Sequence, residues 1–211
     1  MAIIQQPKST GLLRSLLLLT LILFGFWILN DQGLIELVLQ GDKSHISKAI
    51  IILWAITTVY WIYLSKNVYA EKTSINSESD INPNLSIGKY LEAIDKGEDK
   101  DLLLKALETE YAKKLSFGWM AADISLKLGL LGTVIGFILM LQPISELNNT
   151  SPEELKIALS SMSSGMAVAL FTTLTGLVSS ILIRLQFQLT SSSIATLINE
   201  ITFIKEESFG K

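Results

Sequence analysis

Cysteine is absent from the 211 residues, which excludes disulfides, thiolate metal sites and thiol nucleophiles together. Histidine is almost absent as well. His45 is the only one; it stands at the edge of an apolar segment with no carboxylate in metal-ligand spacing, and reads as a solvated or interfacial side chain. Charged residues make up 18% of the chain and the net charge is -3, so no basic surface suited to a nucleic-acid backbone is present. No Gly-rich phosphate loop and no internal repeat occurs. Neither a cofactor nor a metal site nor an enzymatic centre is expected. The last absence is local: the two C-terminal apolar segments hold no Asp, Glu or His at mid-membrane depth, so they lack the titratable group that proton transfer across lipid needs. Any such chemistry must be shared with another chain.

What is present is strongly apolar. Hydrophobic residues reach 49% and the mean hydropathy is +0.45, above an ordinary soluble domain. A hydrocarbon core of about 30 Å takes about 20 apolar residues as helix, and four segments approach that length: 12–29, 46–64, 128–147 and 162–183. The expected fold is an all-α, polytopic membrane protein with four transmembrane helices embedded in the lipid bilayer. Lys8 and Arg14 ahead of a Leu-rich run also resemble a signal peptide, but no small-x-small cleavage site follows Trp27, so the first segment reads as a retained span, with cleavage as the alternative. Lys8, Arg14, Lys66, Lys72, Lys113, Lys114 and Arg184 all flank one side of the four segments. By the positive-inside rule that side is the cytoplasm and holds both termini. Trp27, Trp54, Tyr60, Trp61 and Tyr63 fit interfacial belts, although Trp54 lies deep enough to be a packing residue instead.

The chain divides on this reading into an N-terminal transmembrane hairpin (1–64), a small cytoplasmic helical module (65–118), the pair of C-terminal spans (119–189) and a cytoplasmic amphipathic tail (190–211). In the module, the stretch beginning Thr73-Ser-Ile-Asn and running to Asn84 is rich in turn formers and reads as a loop. Helical spacing resumes at Ile87, Leu91 and Ile94, pauses at Gly97, and continues from Leu103 through Lys114 toward the third span. Ser151-Pro-Glu-Glu reads as an N-cap serine, a proline at the first helical position and a capping-box Glu154. Ile194, Leu197, Ile198, Ile201 and Ile204 predict that the last helix runs on beyond the membrane with one apolar face.

Residues at i, i+4, i+7 and i+11 share one side of a helix. In the fourth span these are Gly165, Ala169, Thr172 and Gly176; the third offers Gly129, Thr133 and Gly136, with Gly132 beside them. Small residues let helix backbones approach closely where lipid supplies no hydrophobic force between them. From spacing alone a packing interface is better supported than a permeation path.

Lys127-Leu-Gly-Leu-Leu-Gly-Thr-Val-Ile-Gly-Phe and Gly165-Met-Ala-Val-Ala-Leu-Phe-Thr-Thr-Leu-Thr-Gly-Leu-Val resemble the paired signature helices of the MotA/TolQ/ExbB proton-channel family, and the four-span count resembles its MotA-like branch. The resemblance implies that Thr133 and Thr173, with Thr172 beside them, line an ion path. TolQ- and ExbB-like members carry a Glu where this chain has Val168. Asp123 and Lys127 fall at the cytoplasmic mouth as an i,i+4 pair, serving either entrance electrostatics or a solvated helix end. The resemblance further implies a homo-oligomer, a pentamer, around a dimer of a MotB/ExbD/TolR-like single-span protein whose membrane Asp binds the transported H+ or Na+. Such a bacterial inner-membrane complex converts the ion motive force into mechanical work on a partner reaching the cell wall or outer membrane. The short 65–118 module favours a non-flagellar energiser; a flagellar-type stator and a non-conducting scaffold are the alternatives.

Overall fold

The structure, a computed structural model, describes residues 10–42, 44–76, 88, 93, 99–145 and 151–209. Regular structure among them is wholly helical: α1 (Thr10–Asp31), α2 (Leu34–Gly41), α3 (Ile46–Asn76), α4 (Lys100–Ser145) and α5 (Pro152–Phe209). Three stretches are long and apolar enough to cross a membrane, Ile46–Glu71, Asp101–Ser145 and Pro152–Asn199, and Ser15–Asp31 is a shorter apolar helix. Leu130, Val134, Phe137, Ile138, Leu170 and Leu174 are each at least half exposed. Water would tolerate such a continuous apolar surface badly, and a lipid bilayer removes the penalty. The protein is a multi-pass membrane protein.

Gly33 separates α1 from α2, with φ of 68° in the left-handed region where a side chain would be strained. The helix α2 lies between the first two apolar segments, where the sequence marks no helix because eight residues are too few for their periodicity to stand out. Asp42, between α2 and α3, holds the first turn of α3. Its carboxylate accepts from the Ser44 amide (2.9 Å), the Ser44 hydroxyl (2.5 Å) and the Ser47 amide (2.6 Å). Burial alone would raise the Asp42 pKa, but the bonds from Ser44 and Ser47 outweigh it and hold the carboxyl below its ordinary range.

The helix α3 corrects the reading of Thr73-Ser-Ile-Asn as loop, since it continues to Asn76. Extending an existing helix by a turn costs far less than nucleating one, and the turn before is anchored: Tyr111 donates to the buried Glu71 carboxylate. The rest of that loop and the helical spacing at Ile87, Leu91 and Ile94 lie outside the described residues. The helix α4 runs without a break through Gly118 and past Pro143 to Ser145, so the expected cytoplasmic helix and the third span belong to one continuous helix. At α5 the Ser151 hydroxyl accepts the Glu154 amide at 3.3 Å, one half of the expected capping box. The helix then continues for 58 residues.

The chain forms two compact units, one of Met1–Thr20, Val59–Gly118 and Leu185–Lys211, the other of Leu21–Thr58 and Trp119–Arg184. In the first, Leu64, Val68, Leu107, Tyr111, Ile194, Leu197 and Ile201 are buried, so the tail's apolar face is covered by the chain's own helices. Trp61 also belongs to this core, which corrects its assignment to an interfacial belt: it is 1% exposed and donates its indole N–H to Thr190 Oγ1 at 2.9 Å, while Ser65 and Thr190 share a further hydroxyl bond of 3.2 Å. Phe187 lies flat on Gly118, where an added Cβ would fall 2.3 Å from the ring. In the second unit Trp54 is a packing residue, its ring stacked on Phe26 with centroids 5.3 Å apart.

Candidate functional site: the glycine seam of α4 and α5

The second unit is organised around the contact of α4 with α5. A Cβ built on Gly129 would stand 3.1 Å from the Gly176 Cα; on Gly132, 2.2 Å from Thr172 Oγ1; on Gly136, 2.5 Å from the Ala169 amide nitrogen; on Gly165, 2.5 Å from the Met140 amide nitrogen; and on Gly176, 2.8 Å from both the Gly129 Cα and the Ser125 carbonyl oxygen. Pairing 129 with 176, 132 with 172, 136 with 169 and 140 with 165 describes two antiparallel helices in close contact over about three turns, backbone against backbone except where the Thr172 side chain meets Gly132. Absence of side chains is what permits that approach.

The contact face of α4 is Ser125, Gly129, Gly132, Gly136 and Met140. Spacing had placed Thr133 on the glycine face with Gly132 beside it; the structure centres the face on Gly132, because the stripe extends back through the buried Ser125 at i-4 from Gly129. Thr133 is turned toward the open side, half-buried, its hydroxyl donating to the Leu130 carbonyl at 2.6 Å. On α5 the face is Gly165, Ala169, Thr172 and Gly176, as the i, i+4, i+7, i+11 pattern has it.

The three threonines therefore differ. Thr172 is 0% exposed, fills the notch opposite Gly132, and donates to Val168 (2.8 Å) and Ala169 (3.2 Å) carbonyls of its own helix. That places it inside the contact of α4 with α5. Thr173 is half-buried and donates both to Ala169 (3.0 Å) and across the seam to the Gly129 carbonyl (3.3 Å). A hydroxyl whose hydrogen is bound to a carbonyl still presents oxygen lone pairs outward, so Thr133 and Thr173 can accept from water or hydronium or ligate Na+. Val168 is wholly buried.

Asp123 does not pair with Lys127. Its carboxylate is held by the Arg184 guanidinium of α5, and Arg184 also lies over the Trp119 ring at 6.0 Å from the centroid. A bridge to a second helix offers a planar, multi-donor partner, which a flexible lysine one turn away does not match. By sequence Arg184 is only a basic helix end, since a partner 61 positions away leaves no local signal. No group of His, Cys, Asp or Glu among the described residues forms a metal site.

No curated protein and no solved structure matches the chain. A family model does: that of the MotA/TolQ/ExbB proton channel family matches residues 82–202, more than half of the sequence and both helices of the seam. The chain belongs to the MotA/TolQ/ExbB proton channel family.

Proposed function

We propose that this protein is the ion-channel subunit of a motor complex in the bacterial inner membrane, with four spans and cytoplasmic termini, and that its work is non-flagellar. Five copies surround a dimer of a single-span protein, the arrangement family membership suggests, and the Asp of that partner carries the proton or sodium ion past Thr133 and Thr173. Movement of the ion on and off this Asp turns or slides the ring against the partner, whose distal domain engages the cell wall or outer membrane.

One observation carries the reading: the seam presents hydroxyls, yet 128–145 and 157–183 hold no ionisable residue at all. An intramembrane path without a titratable group is incomplete by itself, and a single-span partner bearing a carboxylate completes it. The experiment is flux into vesicles holding this chain alone, or together with the Asp-bearing single-span protein encoded beside it. The chain alone should match empty vesicles, and the pair should pass protons or sodium. Clear flux from the chain alone would overturn the shared-site mechanism, and a pair that assembles without flux would favour a scaffold.

A further inference from the structure

The side of α5 that carries Thr173 ends on a charge. Steps of four, seven and eleven residues from Thr173 reach Leu177, Ser180 and Arg184, which share one side of the helix, and eleven residues rise about 16 Å. Leu177 is exposed and Ser180 buried, so the stripe follows the border of the α4 contact. At its foot the Arg184 guanidinium bonds Asp123 of α4 and lies over Trp119. Asp123 is itself ten residues, about 15 Å, from Thr133 along α4. The two side chains are 46% and 53% exposed, so the pair borders open space. Lys127, one turn nearer the threonines, is exposed and has no ion-pair partner among the described residues.

A cation moving along the Thr173 stripe therefore meets a guanidinium that does not deprotonate, with an ammonium close by. Only Asp123 opposes that charge at this level of the two helices. We propose that Arg184 sets the electrostatic barrier at the end of the ion route, and that Asp123 sets its height by neutralising the guanidinium and holding it against Trp119. Both are specificity-determining residues that leave carriage of the ion to the partner. This rests on the ion-route reading above. The competing role is a plain clamp between α4 and α5, and charge arithmetic separates the two: a clamp fails when either partner is lost, whereas a barrier rises without Asp123 and falls without Arg184.

The test is flux of protons and of sodium through vesicles holding this chain with its Asp-bearing single-span protein, with native mass measurement of each assembly. Asp123→Asn should slow flux about tenfold, the order expected of one uncompensated unit charge within roughly 10 Å of the route at the effective dielectric of a partly exposed site. Arg184→Gln should not slow it, and Asp123→Asn with Arg184→Gln should return at least to the wild-type rate. Wild-type flux in Asp123→Asn, or a double variant as slow as Asp123→Asn, would overturn the barrier. Equal loss of assembly in both single variants would show a clamp and overturn it as well. A wild-type complex that assembles and passes neither ion would instead overturn the ion-route reading, and this inference with it.

Discussion

Adding a single methyl group at Gly136 tests the seam directly. Its Cβ would lie 2.5 Å from the Ala169 amide nitrogen and 2.7 Å from the Ala169 Cβ, against an ordinary contact of about 3.5 Å. Backbone cannot rotate away, so the helices must separate locally by about 1 Å, a gap that already forfeits a quarter to a half of each dispersion contact. Overpacking of this kind costs about 1–3 kcal/mol. Gly165→Ala should behave alike, because it meets the Met140 amide nitrogen at 2.5 Å. Gly132→Ala differs: its obstruction is the Thr172 side chain, so Thr172→Gly in the same chain should recover part of the loss. The control is Gly25→Ala, with nothing within 4 Å, which should stabilise α1 by up to about 1 kcal/mol through helix propensity. Thermal unfolding of the detergent-solubilised protein ranks the variants. If Gly136→Ala and Gly165→Ala melt no lower than wild type, the backbones are not in contact and the seam as described is wrong. Leu at Gly132, Gly136 or Gly176 should go further and reduce the oligomer seen by native mass measurement.

Thr133→Val with Thr173→Val keeps side-chain volume and removes both half-buried hydroxyls; each lost intramembrane hydrogen bond is worth only about 0.6 kcal/mol, so partner co-purification should persist while ion flux falls, and unchanged flux would place the hydroxyls off the route. Asp42→Asn replaces charge-assisted acceptor bonds to Ser44 and Ser47 by neutral ones and should destabilise the start of α3 by about 1 kcal/mol at neutral pH. Because the folded Asp42 carboxyl is held below its ordinary range, its stabilisation is complete above the ordinary carboxylate pKa and is lost as pH falls through that range toward the lower folded value; the wild-type advantage in unfolding midpoint should shrink on acidification, and a constant advantage would refute the role given to its bonds. Thr190→Val removes the acceptor of the Trp61 indole and should cost about 1–3 kcal/mol as an orphaned buried N–H, read as a lowered melting point with the 1% exposure of Trp61 unaltered in fluorescence quenching.

Properties set by composition and local periodicity were legible in the sequence alone. Apolar segments of membrane length, the Ser151 cap, the long run of α4, the apolar stripe at Ile194, Leu197 and Ile201, and the small residues at Gly165, Ala169 and Gly176 depend on neighbours within a few positions, where helix geometry makes spacing a sufficient guide. Partner choice between distant segments was decided only by the tertiary structure. Whether Thr133 or Gly132 faces α5 turns on a rotation of about 100° about the helix axis, which no count along α4 resolves until α5 is in place. Asp123 takes Arg184 over the nearer Lys127, Trp61 is drawn into a core by Thr190, and the polar residues after Glu71 remain helical because Tyr111 anchors that turn. Each is an interaction across 40 or more positions of chain, where energy depends on what folding brings within a few ångströms.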